Sequence, residues 1–198
     1  MFTGIIEAVG RVAAVKPVGQ SAALTIDAGG LDMSDVAVGD SIACNGVCLT
    51  VTSLMPKGFT VDVSQETLRV TAGFDAGNAI NLEKSLRLSD RLGGHLVSGH
   101  VDGVGTLTAV KPVDANREIL VRFPTELGRY IARKGSIAIN GVSLTVNVVT
   151  TDTLAVNLIP HTLATTTLKM LAKGSRVNIE IDLVARYVDR ILEQGNRS

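Results

Sequence analysis

The chain has 198 residues, of which 45% are hydrophobic, and it carries 19 basic and 19 acidic side chains. This balance gives no electrostatic field that would collect nucleic acid or an anionic membrane, and two Tyr, four Phe and no Trp offer few stacking surfaces for bases. The apolar runs are too short to cross a bilayer, and no secretory signal pattern begins the chain. We therefore expect a cytoplasmic protein with no nucleic-acid or membrane partner.

A duplication with a spacing of 95 residues organises the sequence. SIACNGVCLTV at 41–51 returns as SIAINGVSLTV at 136–146, with nine of the eleven positions identical. GNAINLE at 77–83 corresponds to GSRVNIE at 174–180 after a two-residue insertion. So long a period indicates two homologous domains rather than a solenoid, because each copy is large enough for its own core. Two related pockets in one protein suggest chemistry on two copies of one ligand.

Each copy consists of short runs rich in Val, Ile, Leu and Thr, separated by Gly, Asn-Gly, Pro or Asp. Strands at this spacing predict antiparallel barrels or sandwiches, and barrel closure removes the exposed edges that so many short strands would leave. We place the first domain at residues 1–90, the second at 91–183, and a C-terminal helix at 184–198.

In the first copy, Asn45-Gly46 predicts a two-residue hairpin turn. The turn pairs residue 43 with 48 and residue 44 with 47, so the thiols of Cys44 and Cys48 project from opposite faces of the sheet. We therefore expect no disulfide, in keeping with a reducing compartment. A C-x-x-x-C pair without a neighbouring histidine is also a poor zinc signature, and we predict no metal site.

The strand after each Asn-Gly turn alternates between aliphatic and small polar residues. The aliphatic residues are expected to fill the barrels, which leaves Cys48 and Thr50 of the first copy, and Ser143 and Thr145 of the second, on the outer surface. Small donors and acceptors there suit a flat polar heterocycle, although they are also common on a solvated strand. Their recurrence in both copies weakens the purely structural interpretation, although a duplication also preserves structural residues.

The two copies differ at their histidines. His100 stands where the first copy has Ile5, and His161 stands where it has Glu66, while His95 lies in the connection between the copies. Such differences would allow two related pockets to give their ligands different roles. The spacing of the histidines gives no case for a metal, and a lone histidine near a glycine-rich strand is often a structural residue.

The last predicted strand is followed by Asp182, which can cap the helix after it or serve as a loop acid. Within that helix, Val184, Val188 and Ile191 fall at helical spacing with charges between them. This apolar stripe is expected either to pack on its own barrel or to drive self-association.

Several motifs cover nearly the whole chain in a fixed order, namely MFTGII, NGVCLTV, ETLR, GGHLVSGHVDG, NGVSLTV and VNIEID. Together they resemble the riboflavin synthase family. The resemblance implies a cofactor-free homotrimer, with two tandem six-stranded antiparallel Greek-key β-barrels and a C-terminal helix in each subunit. It also implies conversion of two 6,7-dimethyl-8-ribityllumazine molecules into riboflavin and 5-amino-6-ribitylaminouracil, a four-carbon transfer that ends riboflavin biosynthesis. The active sites would lie between subunits, with the N-terminal barrel of one facing the C-terminal barrel of a neighbour.

Carried onto this sequence, the resemblance implies two substrate pockets built from matching segments. The first is expected to use Gly4, Ile5, Ile6, Cys48, Leu49, Thr50, Asp62, Val63, Ser64, Gln65, Glu66 and Thr67. The second is expected to use Gly99, His100, Val101, Ser143, Leu144, Thr145, Asn157, Leu158, Ile159, Pro160, His161 and Thr162, with Lys134 nearby. Positions implicated in activity in the family match Phe2, Ser41, Cys48, Thr67, His95, His100, Ser143 and Asp182.

The resemblance also suggests roles. We expect main-chain groups to bind the uracil-like edge, and Ser143 and Cys48 to hydrogen-bond to the substrate or activate a nucleophile. His100 is the leading general base, His95 is a weaker candidate, and Asp182 completes the catalytic set.

Two alternatives stay open. One is a lumazine- or flavin-binding protein of the same fold that does no chemistry, although NGVSLTV, GGHLVSGH and ETLR all persist here and favour an enzyme. The other is a purely structural homotrimeric scaffold.

Overall fold

Two closed β-barrels account for most of residues 1–195, the part of the chain that the computed structural model describes. The first barrel contains β1 (Ala8–Val18), β2 (Ser21–Asp27), β3 (Ser41–Cys44), β4 (Val47–Met55), β5 (Gly58–Val63) and β6 (Ala79–Lys84). The second contains β7 (Gly103–Val113), β8 (Asn116–Arg122), β9 (Ser136–Ile139), β10 (Val142–Val149), β11 (Thr153–Leu158) and β12 (Arg176–Ile181). Residues 196–198 of the predicted C-terminal segment lie outside the described residues.

The two barrels have the same topology. Their strand orders are β1-β2-β5-β4-β3-β6 and β7-β8-β11-β10-β9-β12, each closing on its first strand through antiparallel pairs. The return of a later strand beside an earlier one makes each barrel a Greek key. The prediction of an all-β fold with two six-stranded antiparallel barrels is confirmed.

The interior of each barrel is filled by aliphatic side chains from alternate strand positions. Across the first Asn-Gly turn, Ala43 pairs with Cys48 and Cys44 pairs with Val47, which is the predicted register. Cys44 therefore lies inside the first core, whereas Cys48 faces outward, and both thiols are free. Burial in this apolar core raises the pKa of the Cys44 thiol well above its ordinary value.

A small third core joins the barrels. It consists of Phe2, Ala43, Val97 and Ala138, with Cys48 at its edge. Phe2 and Val97 occupy equivalent positions in the two copies and form an isolated antiparallel bridge, with N···O distances of 2.8 and 3.1 Å. The leading segments of the two copies therefore meet each other between the barrels.

The described chain also contains three α-helices, α1 (Gln65–Val70), α2 (Pro160–Thr165) and α3 (Leu183–Gly195), and two short 3₁₀ helices, Thr125–Tyr130 and Thr167–Met170. The short helices α1 and α2 follow β5 and β11 and occupy equivalent places in the two copies, but the sequence patterns predicted only α3. No helix within residues 1–195 is both long enough and apolar enough to span a membrane.

Helix α3 is held to the second barrel by its polar side. The Asp182 carboxylate accepts the N–H of Val184 at 3.0 Å, which is the predicted helix cap. Ion pairs Arg186–Asp102 at 2.7 Å and Arg129–Asp189 at 2.5 Å tie the helix to barrel residues. The apolar stripe points away from the barrel, and 49–69% of Val184, Tyr187, Val188, Ile191 and Leu192 is exposed.

Candidate active site

A cavity of about 210 Å³ opens beside Cys48 on the outer surface of the first barrel. Its walls are Val47, Cys48, Glu66, Thr67, Val70, Thr71, Gly99, His100 and Val101. They come from β4, from α1 and the residue after it, and from the leading segment of the second copy. We call this group of residues the Cys48 half-site.

The leading segment of each copy lies against the barrel of the other copy. The carbonyl of Gly99 accepts the N–H of Cys48, and the carbonyl of Gly4 accepts the N–H of Ser143, both at 2.8 Å. The sequence analysis places Gly4 in one pocket with Cys48, and Gly99 in the other pocket with Ser143. This pairing is wrong: Gly99 lies against Cys48 and Gly4 lies against Ser143, because the two leading segments cross between the barrels.

Glycine is required at both crossing points. Gly4 and Gly99 have φ values of +78° and +82°, and a Cβ at either would lie 2.6 Å from the Cβ of Ser143 or Cys48. A side chain there would meet both the left-handed backbone and the facing strand. These glycines bring the following residues, Ile5 and His100, against the opposite barrel.

The equivalent half-site on the second barrel centres on Ser143. Under the 95-residue relation, the counterparts of Glu66, Thr67 and His100 are His161, Thr162 and Ile5. We define the Ser143 half-site as Ser143, His161, Thr162 and the segment 4–6. The two half-sites share a framework but differ in their side chains. The thiol of Cys48 corresponds to the hydroxyl of Ser143. The carboxylate of Glu66 corresponds to the imidazole of His161, and the imidazole of His100 corresponds to the alkyl group of Ile5.

His95 adds a further difference. Its Nδ1 lies 2.7 Å from Ser143 Oγ, and the residue is only 8% exposed. Burial lowers the pKa of His95, an effect that the nearby Asp182 carboxylate partly opposes. The neutral imidazole is therefore favoured, and it can accept the Ser143 proton. Its Nε2 is buried and has no hydrogen-bond partner within residues 1–195.

His100 occupies the other half-site. The residue is exposed and borders the cavity beside Cys48, and its main-chain N–H donates to Ser98 Oγ at 3.3 Å. The two histidines named as candidate bases thus lie at different half-sites, His95 buried against Ser143 and His100 at the open cavity beside Cys48.

Several predicted site residues can offer a ligand only main-chain groups. The side chains of Leu49, Val63, Leu144 and Leu158 point into the barrel cores. Phe2 is fully buried in the core between the barrels, so its ring supports the site rather than lining it.

The other predicted residues are more accessible. Exposed side chains are those of Ile5, Thr50, Asp62, Ser64, Gln65, Glu66, Lys134, Thr145, Ile159, Pro160 and His161, and half-buried ones are those of Ile6, Ser41, Thr67, Val101, Asn157 and Thr162. Ser41 pairs with Thr50 and borders a second cleft of about 780 Å³, which is also lined by Ile5 and by several charged residues. Lys134 has a left-handed backbone, and its N–H donates to the carbonyl of Val146 at 2.7 Å.

Sequence reasoning missed two buried glutamates that hold the crossing segments. Each carboxylate accepts three hydrogen bonds, Glu83 from Thr3 and Gly4, and Glu180 from Ser98 and Gly99. Burial raises the pKa of both carboxyl groups, and these hydrogen bonds oppose the rise. The available signal was the Asn-x-Glu pattern shared by GNAINLE and GSRVNIE.

Among residues 1–195, no group of three or more His, Cys, Asp or Glu side chains could hold a metal ion.

Comparison with known families matches the family described as "Lumazine binding domain" twice, at residues 3–85 and 98–182. Riboflavin synthase from Photobacterium leiognathi is 45% identical over 98% of this chain and 89% of its own. Riboflavin synthase from Bacillus subtilis (strain 168) is 42% identical over 100% of this chain and 93% of its own.

Among solved structures, LumP complexed with riboflavin has a TM-score of 0.84 and 26% identity, covering 91% of this chain and 99% of LumP. LumP complexed with 6,7-dimethyl-8-(1'-D-ribityl) lumazine has a TM-score of 0.82, with the same identity and coverage.

Proposed function

Because this chain belongs to the riboflavin synthase family and carries two lumazine binding domains, we propose that it converts two molecules of 6,7-dimethyl-8-ribityllumazine into riboflavin and 5-amino-6-ribitylaminouracil. The observation that carries the proposal is the pair of equivalent half-sites with unlike polar groups. A dismutation needs two copies of one substrate with opposite fates. A duplicated framework supplies the two pockets, and the differences at Cys48 and Ser143 and at the histidines supply the opposite fates.

The reaction transfers a four-carbon unit from one lumazine to the other. One lumazine loses a proton from its C7 methyl group and becomes a carbon nucleophile, while the other becomes electrophilic by addition at its ring. Bond formation gives a pentacyclic adduct, which fragments to the two products. The two products together contain every atom of the two substrates, so the reaction needs no oxidant or further reactant.

Side chains of the two half-sites can carry out the two steps, removal of the methyl proton and addition to the ring. His100 borders the open cavity at Cys48, where it can take the methyl proton. Ser143 can donate its proton to His95 Nδ1 at 2.7 Å as its oxygen adds to the ring of the second lumazine, whose electron pair moves to a ring nitrogen. When the adduct fragments, the bond between Ser143 Oγ and the ring breaks and Ser143 takes its proton back from His95. The proton held by His100 goes to the departing product, which regenerates the enzyme. Asp182 favours the protonated form of His95 that results.

We further propose that the active form is a homotrimer in which the Cys48 half-site of one subunit faces the Ser143 half-site of a neighbour. The Cys48 cavity is open and holds about 210 Å³, below the roughly 300–1,000 Å³ of a typical ligand pocket, so a facing surface is needed to enclose two lumazines. The exposed apolar stripe of α3 provides a surface for self-association.

Mixed subunits test this arrangement. His100→Ala impairs the Cys48 half-site, and Ser143→Ala impairs the Ser143 half-site. If sites form between subunits, unfolding and refolding the two variants together restores riboflavin synthesis above that of either variant alone, because some interfaces pair two intact half-sites. Activity no higher than the average of the two variants would contradict sites shared between subunits.

A second candidate is a lumazine- or flavin-binding protein without turnover, which the similarity to LumP favours. The motifs NGVSLTV and GGHLVSGH, with Ser143 and His95 in hydrogen-bond contact, favour the enzyme. The test is formation of riboflavin when lumazine is the only reactant added to the purified protein. Tight lumazine binding without riboflavin would establish the binding protein instead.

We also propose a cytoplasmic location. Both cysteines are free, with Cys44 buried and Cys48 half-buried, which is typical of a reducing compartment.

A further inference from the structure

The outward faces of β6 and β12 carry the same pair of residues, an asparagine and a glutamate. They are Asn81 and Glu83 on β6, and Asn178 and Glu180 on β12, and all four are buried. Their neighbours along the strands point into the barrel cores. None of the four lines the cavity beside Cys48, although Glu83 borders the larger cleft. The glutamates bind Gly4 and Gly99, which belong to the crossing segments at the half-sites, and the asparagines bind backbone groups next to the half-sites.

Glu180 fixes one wall of the Cys48 half-site. Its Oε1 accepts the Ser98 N–H at 2.6 Å and the Ser98 hydroxyl at 2.7 Å, and its Oε2 accepts the Gly99 N–H at 3.0 Å. Gly99 in turn binds the N–H of Cys48 through its carbonyl. This carboxylate of the second barrel therefore sets the position of His100, the next residue along the chain.

Asn178 fixes the opposite wall. Its Oδ1 accepts the Ala72 N–H at 2.8 Å, and its Nδ2 donates to the carbonyls of Ala72 at 3.2 Å and Asn45 at 3.0 Å. Ala72 follows Thr71, which lines the cavity just after α1. Both walls of a pocket on the first barrel are thus held by one strand of the second barrel.

The same contacts recur in reverse on β6. Glu83 accepts the N–H and hydroxyl of Thr3 at 2.6 and 2.7 Å and the N–H of Gly4 at 3.0 Å. Asn81 accepts the N–H of Thr167, two residues beyond α2, at 2.8 Å, and donates to the carbonyl of Asn140 at 2.9 Å. A strand of the first barrel thereby holds the segments around Ser143.

We propose that Asn178 and Glu180 are positioning residues for the Cys48 half-site, and that Asn81 and Glu83 are positioning residues for the Ser143 half-site. Each barrel shapes the pocket that the other barrel carries. The proposal rests on the proposed function only in taking lumazine as the ligand, because the crossed contacts define pocket geometry whether or not turnover occurs.

Substitution of the glutamates by glutamine distinguishes the positioning role from simple filling of space. In Glu180→Gln an amide nitrogen replaces one acceptor oxygen at nearly the same size. Either orientation of the amide then points N–H groups at N–H or O–H donors, so the three hydrogen bonds cannot all form. Glu83→Gln makes the identical change at the equivalent place and is the matched control.

The cysteines provide a reporter for one half-site. Cys44 lies inside the first barrel core, so Cys48 is the thiol that iodoacetamide can reach. In the full-length protein, we expect Glu180→Gln to change the rate of Cys48 alkylation by at least about fivefold, and to raise the lumazine concentration needed for half-maximal protection by about tenfold. Glu83→Gln should leave both quantities within about twofold of the unsubstituted protein.

The reciprocal measurement uses the double variant Cys48→Ser/Ser143→Cys, in which the reachable thiol lies in the other half-site. There Glu83→Gln should change the alkylation rate and Glu180→Gln should not. Equal effects of both substitutions on both thiols, or an unchanged Cys48 rate in Glu180→Gln, would overturn the proposal. The alkylation rate measured without lumazine depends only on the geometry around the thiol. Failure of the proposed reaction would be seen in a separate measurement, as the absence of riboflavin.

Circular dichroism and thermal unfolding establish that each variant is folded. If the glutamine variants do not fold, Asn178→Ala and Asn81→Ala form a second matched pair for the same alkylation measurements. The predicted selectivity is the same, with Asn178→Ala acting at Cys48 and Asn81→Ala acting at the cysteine in position 143.

Discussion

Ser143 and Cys48 face outward from equivalent strands but have different surroundings. Ser143 has the buried imidazole of His95 at 2.7 Å, whereas Cys48 borders an open cavity with the exposed residue His100. Ser143 and His95 are hydrogen-bonded to each other, whereas Cys48 and His100 border a cavity that is open to a ligand. This difference between single residues is what the proposed division of roles between two identical substrates depends on.

The first prediction at this scale concerns removal of single side chains. General acid–base help is worth about 10²–10⁴-fold, whereas alignment of two reactants contributes up to about 10⁵–10⁸ M in effective concentration. Cys48→Ala and His100→Ala should therefore lower kcat within the acid–base range and leave measurable riboflavin formation. If each abolished turnover while lumazine still bound, alignment would not be the dominant contribution.

His95 should make stability depend on pH. Burial lowers the pKa of His95 in the folded protein, so the unfolded chain binds more protons once the pH falls below the ordinary histidine value of about 6.5. The free energy of unfolding should accordingly fall as the pH is lowered from about 7 towards 5. Urea titrations across this range should show a weaker fall in His95→Asn.

The exposed histidine provides the control for that comparison. His161→Asn makes the same substitution at an exposed imidazole on the surface of α2, so it controls for the loss of a histidine without the loss of a buried group. If His95→Asn and His161→Asn had the same pH dependence as the unsubstituted protein, burial of His95 would not be linked to folding.

A third prediction separates backbone strain from contact at Gly99. Gly99→Ala meets a φ of +82° and a Cβ contact of 2.6 Å with Cys48, whereas Gly174→Ala meets a φ of +90° with nothing within 4 Å. Both should lose about 1–2 kcal/mol of unfolding free energy to strain. Gly99→Ala alone should lose more, and should also lose riboflavin synthesis. Equal losses in the two variants would mean that the crossing tolerates a side chain.

At the scale of elements, α3 divides its two sides between different tasks. Arg186 and Asp189 bind the barrel, while the apolar stripe remains exposed on the opposite side. The sequence left open whether this stripe packs on its own barrel or drives association. The polar attachment leaves the stripe free, which favours association.

Substitution on α3 tests that assignment. Ile191 is 69% exposed, so Ile191→Asp should leave the unfolding free energy of the barrels nearly unchanged while shifting the molecular mass in solution from trimer to monomer. Riboflavin synthesis should fall with it, because the half-sites would no longer face each other. Gln194→Asp places the same charge at another exposed position of the helix and should change neither property. A monomeric protein before substitution, or a trimer after it, would contradict this role of α3.

A feature can be predicted from the sequence when its contacts join residues that are close together along the chain. The period-two alternation after Asn45-Gly46 is local, and it correctly placed Cys44 in the core and Cys48 outside. The contact of Gly4 with Ser143 joins distant parts of the chain, and no local pattern encodes it. The Asn-x-Glu repeat was visible in the sequence, but its meaning required the interface between the barrels.

For the whole molecule, the duplication gives two barrels that are joined by exchanged segments rather than by simple contact. The Gly46 and Gly141 turns also meet directly, since a Cβ on either would come within 3 Å of the other's backbone. Crossed leading segments, facing turns and buried asparagines together make each half-site depend on both barrels. In the proposed trimer, a chain built in this way would present two related but unequal surfaces to its neighbours.

The most direct test of this account is the stoichiometry of the reaction. The purified chain is incubated with 6,7-dimethyl-8-ribityllumazine, without metal or cofactor, while riboflavin formation and lumazine loss are followed together. The proposed dismutation predicts one riboflavin for every two lumazines consumed. Tight binding of lumazine with no riboflavin formed would contradict it, and would identify a binding protein in which His100, Cys48 and Ser143 have no catalytic role.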